Sequence, residues 1–355
     1  VDAVMRIADL RCHRCGNVEP GLDGVLSCAV CQDGLLLVTP ATADRPDRGT
    51  PSAQGIWRWA GELPRIDLAA RVSLGEGGTP LLPMSASGRV GRVWIKNEGN
   101  GPTQSYKDRF NAVNVSVARH WGRPGVALKS TGNAGLAASA YCASAGLRAQ
   151  VVCSPDVPSV VLRGMQDYGA EIHLAPQEKH LGLLAELLAD GYFPGSRSVP
   201  PDSVTPYGCE GYKTIAYEIV DELGGAPDSV VVPVGGGDGL YGVHRGFADL
   251  VERRVIEKAP QMIAARTTWP GASSIAFDVV GAHALDAVAS SGGAVVSVSR
   301  TEIESAVREL EGMGVSPEPA SASTLAALRR TDASLGDVVV AVVTGGGLKW
   351  KVENP

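Results

Sequence analysis

The stretch SVVVPVGGGDG, residues 229–239, decides the fold. After Ser229 its first half is apolar at every position, with no alternation to mark a solvent-facing side. Its second half is four glycines around one aspartate, Asp238. A short continuous apolar run that breaks into glycine reads as a strand covered on both faces. Gly235, Gly236, Gly237 and Gly239 let the backbone turn its N–H groups inward. A helix expected from Leu240 would add its N-terminus, so bare amides and a helix start together make an anion cradle suited to phosphate. No Lys-Ser/Thr pair follows, so it is not a P-loop, and a lone glycine cluster is a weak dinucleotide fingerprint. A tight turn without a ligand is the alternative reading.

The same design recurs. VVTGGGLK near the C-terminus places Thr344 at a strand end before three glycines. VALK (126–129) leads into STGNAGLAASA, where Ser130, Thr131 and Asn133 precede a helix that stops at Gly146. Hydroxyls and amides there either hold a carboxylate or cap the helix. Between these loops, apolar strands (149–153, 171–175) alternate with helical patterns, and Ser299 with Glu302 forms a capping box. Such alternation predicts an α/β fold of open, twisted, mostly parallel sheets flanked by helices, with ligands at the carboxyl ends of the strands.

The chain has 355 residues, 44 of them glycine, and a net charge of −6 without basic clusters. Nucleic-acid binding is therefore not expected. No apolar run reaches the roughly 18–20 residues of a membrane helix. The N-terminal residues lack a signal-peptide layout, and the expected location is cytoplasmic. Seven cysteines fit a reducing compartment, and four form two pairs, Cys12-x-x-Cys15 and Cys28-x-x-Cys31, separated by 12 residues. That is zinc-knuckle spacing, so a structural zinc-ribbon-like segment is expected over 1–40. Reduced cysteines without metal, or a redox pair, are the alternatives. Residues 41–55, rich in Pro, Gly, Ser, Thr and Asp, read as a linker.

NEGNGPTQSYKDRF (97–110) carries Lys107 in a polar loop ahead of a helix. With a phosphate cradle, a carboxylate cradle and a strand-end hydroxyl elsewhere, a lysine so placed is what a Schiff-base cofactor requires.

KNEGNGPTQSYKDRF resembles the pyridoxal-phosphate lysine segment of threonine synthases, approximately K-x-E-x-x-x-P-T-G-S-F-K-D-R. STGNAGLAASAYCASAGL is similar to their asparagine loop, and residues 207–247 to their phosphate-loop region. SPEPASASTLAAL and VVTGGGLK match their C-terminal segments. The motifs occur in family order over nearly the whole chain, so it is identified as a divergent member of this fold-type-II pyridoxal-phosphate family. The resemblance implies a Schiff base on Lys107, which then moves protons at the substrate. It implies Asn133 at the ring hydroxyl, Gly235, Gly236, Gly237, Asp238 and Gly239 around the phosphate, and Thr344 at the pyridine nitrogen. Ser130, Thr131 and Asn133 would take the substrate carboxylate. It further implies a larger cofactor domain (56–112 and 196–355), a smaller mobile α/β domain (113–195) and a homodimer.

The pattern breaks where threonine synthases hold the substrate phosphate. Their P-x-G-K turn matches SPDVPS (154–159), which has no lysine and gains Asp156. Their N-P-x-R-x-x-G-Q-K-T segment matches TPYGCEGYKT (205–214), with Gly208 for the arginine and Tyr212 for the glutamine. Gln104 and Tyr106 replace a common glycine and phenylalanine, and Gly346 a histidine. Losing two cations weakens charge-assisted binding of a dianion, unless Lys129, Arg163, Arg197 or Lys213 substitutes. The expected reaction is β-elimination or β-replacement on an O-activated or hydroxy amino acid through an aminoacrylate. Genuine threonine synthesis from O-phosphohomoserine and a non-catalytic cofactor-binding relative are the alternatives.

Overall fold

The computed structural model describes residues 6–32, 35–39, 55–84, 91–195, 205–276, 279–331 and 334–349. Of the expected linker only Gly55 is among them, and Arg197 lies outside the described residues.

A small antiparallel sheet of β1 (Asp9–Cys12), β2 (Val18–Pro20) and β3 (Leu36–Val38) comes first, with β1 central. Then follow β4 (Leu81–Met84), β5 (Arg92–Asn97) and α1 (Lys107–His120). Alternation begins with β6 (Gly125–Lys129), α2 (Asn133–Ala145), β7 (Arg148–Cys153), α3 (Ser159–Asp167), β8 (Glu171–Leu174), α4 (His180–Ala189) and β9 (Phe193–Pro194). It continues through α5 (Glu210–Leu223), β10 (Ser229–Pro233), α6 (Asp238–Glu252), β11 (Gln261–Arg266), α7 (Ala282–Ser290) and β12 (Ala294–Ser297). It ends with α8 (Arg300–Gly312), α9 (Pro319–Arg330) and β13 (Val338–Val343).

Two larger sheets result. One has the order β8-β7-β6-β9 and is parallel throughout. The other has the order β12-β11-β10-β13-β5-β4, parallel except for β4, which runs antiparallel to β5. In β10 every residue is buried, as its continuous apolar run requires when helices cover both faces. Two expected helix ends appear: Gly146 closes α2 in the left-handed conformation at φ 68°, and Ser299 with Glu302 forms the capping box of α8. The helix after the glycine loop starts at Asp238, two residues before the expected Leu240. β4 has no alternating pattern and contains Pro83, which the ladder tolerates because β4 is an edge strand.

The described residues divide into two compact units. The first is Val1–Glu76 with Lys107–Gly211, and the second is Gly77–Tyr106 with Tyr212–Pro355. These boundaries differ from the expected 56–112 and 113–195. Residues 57–72 are tied into the first unit: the Trp57 indole donates to the Val72 carbonyl at 2.8 Å, and the Val72 N–H donates to Ser116 Oγ at 2.7 Å. The small sheet packs into the same unit. Leu10 and Leu36 of the small sheet, and Ile7 just before it, share one apolar cluster with Val113, Tyr141 and Phe193. Ile95, Val231, Ile263, Leu325 and Val339 centre the core of the second unit. Among the described residues no helix is long and apolar enough to cross a membrane.

Candidate active site

In the first unit Lys107 is the first residue of α1 and is half-buried. One turn on, the Asn111 side chain donates to the Lys107 carbonyl at 2.9 Å. Asp108 and Arg109, next to the lysine, are each only 1% exposed. Near them the Tyr141 hydroxyl donates to Glu76 at 2.7 Å, and Glu76 also accepts from Ser73 Oγ at 3.1 Å and from Leu74 N–H at 3.0 Å. Burial pushes the Glu76 carboxyl above its ordinary range, and these hydrogen bonds only partly offset it. The Tyr141 hydroxyl is pushed up by burial and by Glu76. A satisfied buried network of this kind ties the 73–76 turn to α2. Sequence reading missed Glu76, because no local spacing links it to a tyrosine 65 residues away.

The loop between β6 and α2 carries the other residues expected in this unit. Ser130 Oγ accepts from Gly135 N–H at 2.8 Å and from Gly132 N–H at 3.3 Å, so its hydroxyl closes the turn into α2. Thr131 is exposed, and half-buried Asn133 begins α2.

In the second unit, β10 runs into the glycine loop as expected. Gly237 has φ 109°, and a Cβ there would meet Ala284 at 2.5 Å, so only glycine fits. Asp238 opens α6 and lies 3.1 Å from His283 Nε2, an imidazole that sequence reading did not single out. A Cβ on Gly239 would lie 2.6 Å from the Tyr106 ring, so that ring covers the start of α6. Tyr106 in turn stacks on Tyr212, with ring centroids 4.7 Å apart. Two positions that depart from the family pattern are thus one packed pair.

Thr344 is buried, its hydroxyl 3.0 Å from Ser321 Oγ, and its carbonyl accepts from Tyr106 N–H at 2.9 Å. Ser321 also accepts from Gly345 N–H at 2.8 Å. The SPEPASAST segment therefore supplies the hydroxyl that orients Thr344. Lys96 and Glu98 of the lysine motif are buried as well. Lys96 Nζ lies 3.0 Å from Glu218 and 2.7 Å from Glu222, and Glu98 accepts from Thr79 Oγ at 2.5 Å.

The structure separates the substitute cations. Lys213 is buried and lies 2.6 Å from Asp249, which also takes Arg245 at 2.6 Å and the Tyr217 hydroxyl at 2.9 Å. Lys213 is therefore committed to this ion cluster. Arg163 is exposed on α3, and Lys129 is half-buried at the end of β6. Gly208 packs so closely on the Phe110 ring that a Cβ would collide with it.

The four sulfurs of the two Cys-x-x-Cys pairs lie within 4.8 Å of one another, with Cys12–Cys31 at 3.5 Å and Cys15–Cys28 at 3.6 Å. A tetrahedron with Zn–S of about 2.3 Å has S···S edges of about 3.8 Å, so the donor set fits such an ion. The Cys31 N–H aimed at the Cys28 sulfur brings that thiol down to about 7, while burial and the neighbouring sulfurs push Cys31 up to about 12. None of the cysteines is in a disulfide.

Residues 72–345 match the family model described as pyridoxal-phosphate dependent enzyme. The threonine synthase of Halalkalibacterium halodurans is 34% identical, over 81% of this chain and 87% of that relative. That of Methanocaldococcus jannaschii is 30% identical, over 96% of this chain and 92% of the relative. Among solved structures, an O-ureido-L-serine synthase superposes with a TM-score of 0.64 at 20% identity, covering 77% of this chain and 90% of that one. The cysteine synthase of Entamoeba histolytica gives 0.65 at 20% identity, covering 81% and 90%. At that identity the structures show a shared fold. The glycine cradle, the strand-end hydroxyl, a lysine at a helix start and a family match over most of the sequence agree, and the chain belongs to the pyridoxal-phosphate dependent enzymes of fold type II, as a threonine-synthase-like member.

Proposed function

We propose that the enzyme catalyses β-elimination or β-replacement on an amino acid whose β-substituent is a hydroxyl or an activated oxygen. The observation that carries this reading is the Gly208–Phe110 contact, which leaves no room for a side chain where threonine synthases place an arginine. With Lys213 held by Asp249, the substitute cations remaining among the described residues are Lys129 and Arg163, neither at the position of the missing arginine or lysine.

Taken unit by unit, the residue types suit pyridoxal phosphate: a lysine and an asparagine at helix starts in the first, a glycine loop and a buried threonine in the second. Lys107 would carry it, Asn133 would face its ring hydroxyl, residues 235–239 would donate backbone N–H groups to its phosphate, and Thr344 would face its ring nitrogen. When bound, the cofactor supplies an electron sink that acidifies the substrate α-carbon. Lys107 Nζ takes the α-proton, and the Cβ–O bond breaks with its electron pair leaving on oxygen. In replacement a nucleophile bonds to Cβ and Lys107 Nζ returns the proton to Cα; in elimination the freed enamine takes up water and releases ammonia, leaving a 2-oxo acid. Thr344 is uncharged and paired with Ser321, so it does not enforce protonation of the ring nitrogen as a carboxylate would. Ser130, Thr131 and Asn133, beside the α2 N-terminus, would hold the substrate carboxylate. At the ribbon, Cys12, Cys15, Cys28 and Cys31 would hold a structural zinc ion with no open position for chemistry.

The identity to threonine synthases favours a second reading, conversion of O-phosphohomoserine to threonine. Purified protein reconstituted with pyridoxal phosphate is expected to absorb in the visible, and Lys107→Ala to lose that absorption. Serine, O-acetylserine or O-phosphoserine should change the spectrum and release a 2-oxo acid or accept a nucleophile. Efficient threonine formation from O-phosphohomoserine would establish the second reading instead, and a protein that ignores the cofactor would overturn both.

A further inference from the structure

Gln104 has φ 58°, a left-handed conformation that disfavours any side chain with a Cβ. Three hydrogen bonds hold it there. Its N–H donates to Gly101 O at 2.9 Å, and its carbonyl accepts from Gly346 N–H at 2.8 Å and from Lys349 Nζ at 2.9 Å. A glycine at 104 would relieve the backbone and keep all three. The sequence instead retains a long polar side chain at a strained position, which is an observation that points toward function.

The side chain has a defined seat. Gln104 Oε1 lies 3.2 Å, and its Cβ 3.4 Å, from where a Cβ on Gly346 would stand. The carboxamide therefore lies over the Gly346 backbone, in room that any side chain at 346 would claim. Gln104 is half-buried, and among the described residues its carboxamide makes no hydrogen bond. It stands three residues before Lys107, on a segment tied to the end of β13 by the Tyr106 N–H to Thr344 O bond at 2.9 Å. The rings beside that segment, Tyr106 and Tyr212, are uncharged and stacked.

We propose that Gln104 is a specificity-determining residue, whose carboxamide, seated over Gly346, recognises an uncharged hydrogen-bonding group on the side chain of the amino-acid substrate. A carboxamide donates and accepts, so it pairs with a hydroxyl, an ester or an amide and brings no charge to a phosphate. The inference rests on the reading of this chain as an amino-acid enzyme and names the class of its substrate.

The test uses the cofactor-loaded protein, with L-serine, L-alanine and O-phospho-L-serine as probes of the visible spectrum. Wild type should bind L-serine more tightly than O-phospho-L-serine. Gln104→Gly should keep the cofactor absorption, weaken L-serine by 10-fold or more and leave L-alanine within twofold. Equal weakening of serine and alanine, no weakening, or preference for O-phospho-L-serine in wild type overturns the proposal while the enzyme reading stands. A loaded wild type that responds to no amino acid overturns the enzyme reading itself. Thermal unfolding of the cofactor-free chain supplies an independent arm. Gly346→His should lower Tm by several degrees, and Gln104→Gly/Gly346→His should recover most of that loss. Additive losses would show that the two residues do not share one seat, which also overturns the proposal.

Discussion

At the residue scale, what a glycine excludes is as informative as what a lysine supplies. Gly208 is the clearest case: the Phe110 ring occupies the space that its Cβ would take. Gly208→Ala is therefore expected to destabilise by about 1–3 kcal/mol, the usual range for overpacking, read as a lower urea midpoint at unchanged slope. An unchanged midpoint would mean that the ring moves easily, and the argument against a distal phosphate would lose its support. The residues of the candidate site were legible because their types carry chemistry at strand ends: glycine and hydroxyls, and Lys107 at a helix start. Their partners were not. Glu76, Ser321 and His283 act through contacts distant in sequence, and no local pattern announces them. Gln104, Tyr106, Tyr212 and Gly346 stood out as departures from a pattern, but only the fold shows that they come in pairs.

At the element scale, apolar periodicity and caps located the helices and parallel strands, since those signals are local. β4 escaped because an edge strand of four residues with a proline has neither alternation nor length. The role of α5 also escaped. Its pattern reads as an amphipathic helix, yet its Lys213 is buried against Asp249 of α6. Burial pushes the Asp249 carboxyl up, but Lys213 and Arg245 outweigh it and hold the group below its ordinary 3.8. A folded value below the unfolded one stabilises at pH above 3.8, and that contribution is lost as the pH falls through the folded value. Asp249→Asn removes the buried carboxylate that Lys213 and Arg245 share, so it should cost about 3–5 kcal/mol at pH 7. The gap to wild type should narrow on acidification below pH 4. Urea midpoints at pH 7 and pH 3 check this, and a gap independent of pH would assign the loss to packing alone.

At the scale of the whole molecule, the α/β alternation made the two large sheets legible, while the attachment of the ribbon was hidden. Its cysteine spacing reads as a self-contained knuckle, and a self-contained knuckle would be an appendage. The core says otherwise. Cys12 and Cys28 are buried in the same apolar cluster as Val113, Val117, Tyr141 and Phe193. Asp23 holds Arg123 at 2.6 Å, and the Arg65 N–H donates to Ile7 O at 2.8 Å. Opening the ribbon would uncover apolar surface on the first unit, so a metal bound by the four sulfurs would stabilise more than its own loop. If the four sulfurs hold zinc, Cys28→Ser is expected to abolish that binding. It should cost about 3 kcal/mol, or roughly 6–12 °C in Tm for a unit of this size. The deciding measurement is hydrogen exchange in α1. If the ribbon braces the first unit, amides around Val113–Val117 lose protection in Cys28→Ser. If zinc is lost while those amides keep their protection, the ribbon is an appendage and its shared core adds nothing to the stability of the helix that begins at Lys107.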